Sequence, residues 1–396
     1  MKLTNLTLLN ITVFLKSQSY LLPVMLLFYI QNGLDAADFF FFQGIVGVTE
    51  LILGLPCGYL ADYFSKKTIL LFSYLMLFMR YALWLCFGGY WTILIGELCY
   101  AFYKSLFQST AEGYIYQYLC ENKEQASNLG KYSWFNAAAS IGSAVSALLG
   151  ALIFKQIGVQ VVLIVQLIVV TLGIILLCFI KPVSKEDYTE KRAYKTFTCF
   201  LRLLVLLKNS DLKFYIIISG IFTAVTFLLL NTFQPLMHLG NVPVLFFGGI
   251  YFINHITRAI AGGYTYKILE RISMKDMGLI CYTINMLSFL LIYIVIKHSL
   301  FVAIMPLLIF ICLGIALQLS FNVGVVSHLQ EHTELGNRSM MASFNNTFMR
   351  LVSSITLLAN TAVVKTWGLM YEPVLGILLI GGTILLLPLL SAKRKS

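Results

Sequence analysis

Charge is scarce in this sequence. Asp, Glu, Lys and Arg make up 11% of the 396 residues, less than half the roughly 25% of a soluble domain. A water-soluble surface of that size cannot be clothed with so few polar side chains. Sustained polar/apolar alternation is also missing, which excludes a membrane β-barrel, whose strands need only about ten alternating residues. The eight cysteines include no C-x-x-C pair and read as small apolar packing residues. No H-E-x-x-H, G-x-S-x-G or phosphate-loop pattern occurs, and no polar stretch is long enough to hold a compact catalytic domain, so an enzyme is not expected. His328 and His332 could share a helix face, but two ligands make a weak site, and neither a metal nor a cofactor is expected.

What is present is apolar and long. Hydrophobic residues are 59% of the chain and the mean hydropathy is +0.85. Runs long enough to cross about 30 Å of hydrocarbon recur twelve times, over 5–30, 39–61, 68–88, 91–119, 129–154, 158–180, 212–238, 243–266, 276–296, 300–328, 340–363 and 371–391. The fold class is therefore an all-α membrane protein. The first run carries Lys16, has no A-x-A-like cleavage site and continues through Phe28-Tyr29, so it reads as an uncleaved span.

Basic residues orient these spans. With the N-terminus inside, the segments on that side hold 20 of the 28 Lys and Arg, against three outside and five within spans. Both termini are expected in the cytoplasm, with the protein in the plasma (inner) membrane. The net charge of +11 then reports topology and lipid headgroups rather than nucleic acid. One polar interruption, 181–211, separates six spans from six. It contains an amphipathic stretch, Phe197 to Leu207, suited to the membrane interface. The expected organisation is a six-helix bundle over 1–180, a cytoplasmic linker over 181–211 and a second bundle over 212–396, as in transporters built from repeats.

Between the second and third spans stands Gly58-Tyr59-Leu60-Ala61-Asp62-Tyr63-Phe64-Ser65-Lys66-Lys67. It resembles the cytoplasmic loop signature of the major facilitator superfamily, G-x-L-a-D-r-x-G-r-[rk], with Tyr63 at a usually basic position and Ser65 at the turn glycine. The resemblance implies two pseudo-symmetric six-helix bundles that rock about a central site. It also implies a conformational latch formed by Gly58, Asp62, Lys66 and Lys67, with Asp62 near Arg338 to Met341. Gly58 is expected to permit close helix approach. The family's exporter motifs are absent: Glu97 and Ala101 stand where the fourth helix of R-x-x-q-G exporters has Arg and Gly, and the fifth span has no G-P-x-x-G-G.

Eight charges are read as lying well inside the apolar runs: Lys16, Glu50, Arg80, Glu97, Lys104, Glu112, Arg258 and Arg350. At roughly 2.5 to 3.5 kcal/mol each at a helix centre, all facing lipid would cost about 20 kcal/mol, so they face one another, water or a substrate. Glu97, Lys104, Gln108 and Glu112 follow at steps of seven, four and four on one helix face. Glu50, Glu97 and Glu112 are the proton-coupling candidates, with Lys104 available to pair among them. The resemblance implies that Arg80 lies in a helix that is usually peripheral in the family. In the second half, Asn231, Gln234, Gln318 and Asn322 are polar at helical spacing, and Arg258 and Arg350 are read as having no acid in their own six spans. They would look for a carboxylate across the midline, backbone carbonyls or a substrate anion. Lys16, Lys104, Gln108, Asn231, Gln234, Arg258, Gln318, Asn322 and Arg350 are thus the expected cavity residues.

Together these features predict a monomeric secondary transporter for a small anionic or zwitterionic amphipathic solute, working in the bilayer by alternating access. Proton-coupled export is the favoured direction. Proton-coupled uptake of an anionic or zwitterionic nutrient is the alternative, and a passive facilitator or transporter-like sensor is the third reading.

Overall fold

The computed structural model describes residues 5–121, 128–181, 210–331 and 338–391. Among these, every regular element is helical. In chain order the α-helices are α1 (Asn5–Ser17), α2 (Met25–Gln31), α3 (Ala36–Tyr63), α4 (Lys66–Cys86), α5 (Tyr90–Glu121), α6 (Asn128–Gln156), α7 (Val159–Phe179), α8 (Ser210–Leu239), α9 (Val244–Arg271), α10 (Met274–Lys297), α11 (Ile304–Glu331), α12 (Arg338–Trp367) and α13 (Glu372–Ser391). Ten stretches among the described residues are long and apolar enough to cross a membrane, and Leu369–Gly382 is a shorter apolar helix. The charged helix α5 is not among those ten. The amphipathic segment expected at 197–207 and His332 lie outside the described residues.

Local chemistry sets the helix ends. The Ser65 hydroxyl accepts from the Thr68 amide at 3.2 Å, capping α4, and Ser273 caps α10 in the same way through Asp276. Ser65 at the signature's glycine position thus contributes a cap. Gly158, at φ 106°, turns the chain from α6 into α7 in a conformation that side chains disfavour.

The helices group into two compact units. One contains Met1–Asp35, Thr49–Thr189 and Val242–Ile256; the other contains Ala36–Val48, Glu190–Asn241 and Thr257–Ser396. In the first, α4 packs on α5 and α7, and α1 packs on α6 and α7. In the second, α8 packs on α11, α12 and α13, while α10 packs on α11 and α13. The division runs through α3 and α9. Gly248 accordingly lies against Ala147 and Ala151 in the first unit, and Gly47 lies against Ser354 in the second. Small residues let these backbones approach.

The first span is broken, which its unbroken apolar run did not predict. Helix α1 stops at Ser17 and α2 starts at Met25, with Pro23 in a short 3-10 turn between them. The freed backbone groups are met by side chains of α6 and α7. The Ser19 amide donates to Ser146 Oγ at 2.9 Å and the Tyr20 amide to Gln166 Oε1 at 2.9 Å. Gln166 Nε2 and Ser143 Oγ in turn donate to the carbonyls of Gln18 and Ser17, at 2.8 and 3.0 Å. Irregular backbone at membrane depth survives where protein satisfies it in this way. Gly150 makes the approach possible, since a Cβ there would fall 1.9 Å from the Tyr20 carbonyl oxygen.

Candidate functional site

The first unit pairs its buried charges. Helices α4 and α5 form a hairpin through the short Phe87–Gly89 connection. Arg80 stands six residues before the end of α4 and Glu97 seven after the start of α5, and at 1.5 Å per residue both lie about 10 Å from the turn. Arg80 Nη2 meets Glu97 Oε1 at 2.8 Å, with the side chains 4% and 0% exposed. The Tyr29 hydroxyl of α2 donates to the same oxygen. Aromatic faces complete the enclosure: the guanidinium carbon lies 4.0 Å from the Tyr100 ring centre and 4.3 Å from that of Trp84. Arg80 Nε, Glu97 Oε2 and Trp84 Nε1 are buried without a hydrogen-bond partner.

Arg80 is therefore a buried, ion-paired charge. The i, i+7 step between Glu97 and Lys104 identified a shared helix face, but partners are chosen by the neighbouring helix, and the hairpin offers Glu97 an arginine. Lys104 pairs instead with Glu50 of α3, at 2.5 Å, where the lysine side chain is 37% and the carboxylate 5% exposed. Lys16 sits with its ammonium 4.0 Å from the Phe107 ring centre, a favourable cation–π distance. Gln108 is exposed. The side chains of Glu112 and Asp62 lie outside the described residues.

In the signature loop, Lys67 Nζ donates to the Cys178 carbonyl near the end of α7, at 2.7 Å, while Lys66 opens α4. A Cβ at Gly58 would meet nothing within 4 Å. The close approach expected at that glycine does not occur in this state.

Amides dominate the second unit. Gln318 Oε1 accepts from Asn285 Nδ2 at 3.0 Å, and Asn322 Nδ2 donates to Thr223 Oγ1 at 3.2 Å. Asn231 Nδ2 donates to the Phe227 carbonyl of its own helix at 2.8 Å, and Gln234, one turn further along α8, is buried. Arg350 is half-buried on α12. Arg258, half-buried in the middle of α9, has no ion-pair or hydrogen-bond partner among the described residues. Two acids correct the reading that this half has none within its spans: Asp276, at the start of 276–296, is exposed near the head of α10, and Glu372 stands at the head of α13. Its side chain is fully buried, and Oε1 is hydrogen-bonded to Thr232 Oγ1 of α8. As the second residue of the last apolar run it looked like an interfacial first-turn acid of the common kind. Only the packing of α8 over α13 distinguishes it from one.

The sequence model of the Major Facilitator Superfamily matches residues 7–357, nearly nine-tenths of the chain. The chain belongs to the major facilitator superfamily. The twelve-span, two-bundle class read from the sequence is that family's fold, and the protein is a secondary transporter and an integral multi-pass membrane protein. Solved structures agree in fold. A mutant form of the nucleoside transporter NupG matches with a TM-score of 0.78 at 14% identity, over 98% of each chain. A POT family transporter in complex with 5-aminolevulinic acid matches with a TM-score of 0.73 at 13% identity, over 99% of this chain and 96% of that one. A bacterial homolog of the human lysosomal transporter Spinster matches with a TM-score of 0.66 at 12% identity, over 98% and 94%. No curated protein sequence matches the chain.

Proposed function

We propose that this superfamily member moves small organic solutes bearing a carboxylate or phosphate, zwitterions included, in exchange for protons. Arg258 carries the proposal. A guanidinium in the middle of a membrane-spanning helix is costly without a countercharge, and no described residue supplies one. A planar guanidinium offers the paired donors that carboxylates and phosphates accept. Arg350, Lys16, Lys104, Gln108, Asn231, Gln234, Gln318 and Asn322 are the proposed further lining, with six-helix bundles on either side of 181–211 rocking to expose it. We place the protein in the plasma membrane as a monomer with both termini in the cytoplasm, and Asp62 in a latch with the start of α12.

For the proton, Glu50 is the preferred carrier, because its partner Lys104 is partly exposed and the pair can open when water or solute reaches it. Glu112 is a second candidate. Glu97 is assigned a structural role, since an arginine and a tyrosine hydroxyl hold it in a closed aromatic enclosure. Export is the proposed direction; uptake is the second reading, favoured by the same Arg258, which would ligand an incoming anion.

Proteoliposomes with an imposed pH gradient of either sign test this reading, using anionic, zwitterionic, cationic and neutral solutes. Anionic or zwitterionic solutes should be driven in one orientation of the gradient, and a protonophore should abolish their accumulation. Effective competition by neutral sugars, with none by anions or zwitterions, would refute the proposed substrate class.

A further inference from the structure

We propose that Glu372 is a proton-binding site: in this state it is a neutral carboxylic acid whose Oε1 hydroxyl donates to Thr232. A count of protons leads there. Thr232 Oγ1 lies 2.7 Å from the Leu228 carbonyl oxygen and is also within hydrogen-bond distance of Glu372 Oε1. Two hydrogen bonds through one hydroxyl oxygen take either one proton shared in a three-centre bond, as at Ser219 between the Ile216 carbonyl and Asn345 Oδ1, or two protons. A carbonyl brings none, and a threonine hydroxyl brings one, which points in a single direction. The bond to the carbonyl four residues back is the usual one for a threonine inside a helix, and Thr12, Thr110 and Thr265 all make it in this chain. We assign the two-proton arrangement, with the second proton on the carboxyl group, because both contacts are then full hydrogen bonds. An ionised Glu372 would leave the two contacts to share one proton.

The other carboxyl oxygen points the same way. Glu372 Oε2 is buried and has no hydrogen-bond partner, and the whole side chain is 0% exposed. A carboxylate oxygen left without a donor is far more costly than the carbonyl oxygen of a neutral acid. Among the described residues no cation compensates. The elements packed against α13 are α8, α10, α12 and the 3-10 turn Leu369–Tyr371, and the titratable groups at their Glu372 end are His238, Tyr293, Lys297, His298, Lys365 and Tyr371. All are exposed or half-buried, and none is bonded to Glu372. Thr232 lies seven residues inside the end of α8, about 10 Å along the helix, so the proton is held within the helix packing rather than at the surface.

The proposal is independent of proton-driven transport, since it follows from hydrogen bonding alone. Infrared spectroscopy of the full-length protein in lipid at neutral pH, with carbonyl-labelled glutamate, is the test. The wild type should show the C=O stretching band of a glutamic acid, at the high-frequency end of its range because Oε2 has no donor. Glu372→Gln should lose it. Persistence of the band in Glu372→Gln, or its absence from the wild type, overturns the proposal. Where Glu372→Gln fails to fold, Thr232→Val decides: the proposal expects the band to shift, because the acid loses its acceptor, and an unshifted band overturns it.

Discussion

Glu97→Gln separates a structural ion pair from a proton carrier. The substitution keeps the shape of the side chain and removes the one anion that, among the described residues, is bonded to Arg80, whose side chain is 4% exposed. Breaking a buried pair from one side costs roughly 3 to 5 kcal/mol, because the remaining charge stays buried. Two compensations act here. The guanidinium keeps its contacts with the Tyr100 and Trp84 rings, each worth about 1 kcal/mol or somewhat more when desolvated, and Tyr29 can still donate to the amide oxygen. The expected loss is therefore near the low end, about 3 kcal/mol. Arg80→Met in the same chain removes the stranded cation, so the double variant should be more stable than the two single losses predict, by about 2 kcal/mol. Glu50→Gln is the internal control: Lys104 is 37% exposed, water takes up its charge, and the loss should stay within about 1 kcal/mol. Denaturant-induced unfolding in detergent micelles, followed by tryptophan fluorescence, measures all four variants. Wild-type stability of Glu97→Gln, or single effects that simply add in the double variant, would refute the structural assignment.

Glu50→Gln should instead disable coupling, reducing gradient-driven transport about tenfold or more while sparing solute exchange, as read by counterflow in proteoliposomes. Arg258→Gln should raise KM for anionic solutes about tenfold or more, the worth of a charge-assisted hydrogen bond, and leave neutral solutes unaffected. Gly150→Val should lower the melting temperature, because its Cβ would fall 1.9 Å from the Tyr20 carbonyl oxygen, a clash worth about 1 to 3 kcal/mol or more. Gly263→Val, where a Cβ meets nothing within 4 Å, should stay close to wild type.

The spans were legible because hydrocarbon thickness imposes a length and a composition that the sequence has to satisfy. Their partners were less so. Helical periodicity showed that Glu97 and Lys104 share a face of α5, but the partner of each is set by which helix lies opposite. The α4–α5 hairpin supplies Arg80 to one, and α3 supplies Glu50 to the other. The break after Ser17 was hidden for a related reason. Its backbone is satisfied by Ser143, Ser146 and Gln166, more than 120 residues away, and within 5–30 only Pro23 hints at it. Gly142 and Gly150 of α6 stand on the side where that contact forms, since Cβ atoms there would strike the carbonyls of Phe14 and Tyr20.

Charge arithmetic ties Glu372 to Arg258. Within the spans, leaving aside Lys131, Lys213 and Asp276 at their ends, five positive charges stand against Glu50, Glu97 and Glu112, a net of +2. Counting Glu372 as ionised lowers this to +1. A proton on Glu372 keeps the interior at +2 and so favours an anion at Arg258, whereas loss of that proton weakens the attraction. Linkage is reciprocal: if a proton on Glu372 tightens anion binding, the bound anion tightens the hold on the proton by the same factor. The two sites need not touch for this coupling, because the surrounding hydrocarbon screens charge poorly. Glu372→Gln fixes the neutral form. It should therefore keep the tight-binding state while removing that part of the pH dependence of anion affinity which Glu372 contributes, as measured by equilibrium binding across a pH series. A pH dependence identical to that of the wild type would show that the anion site does not sense Glu372.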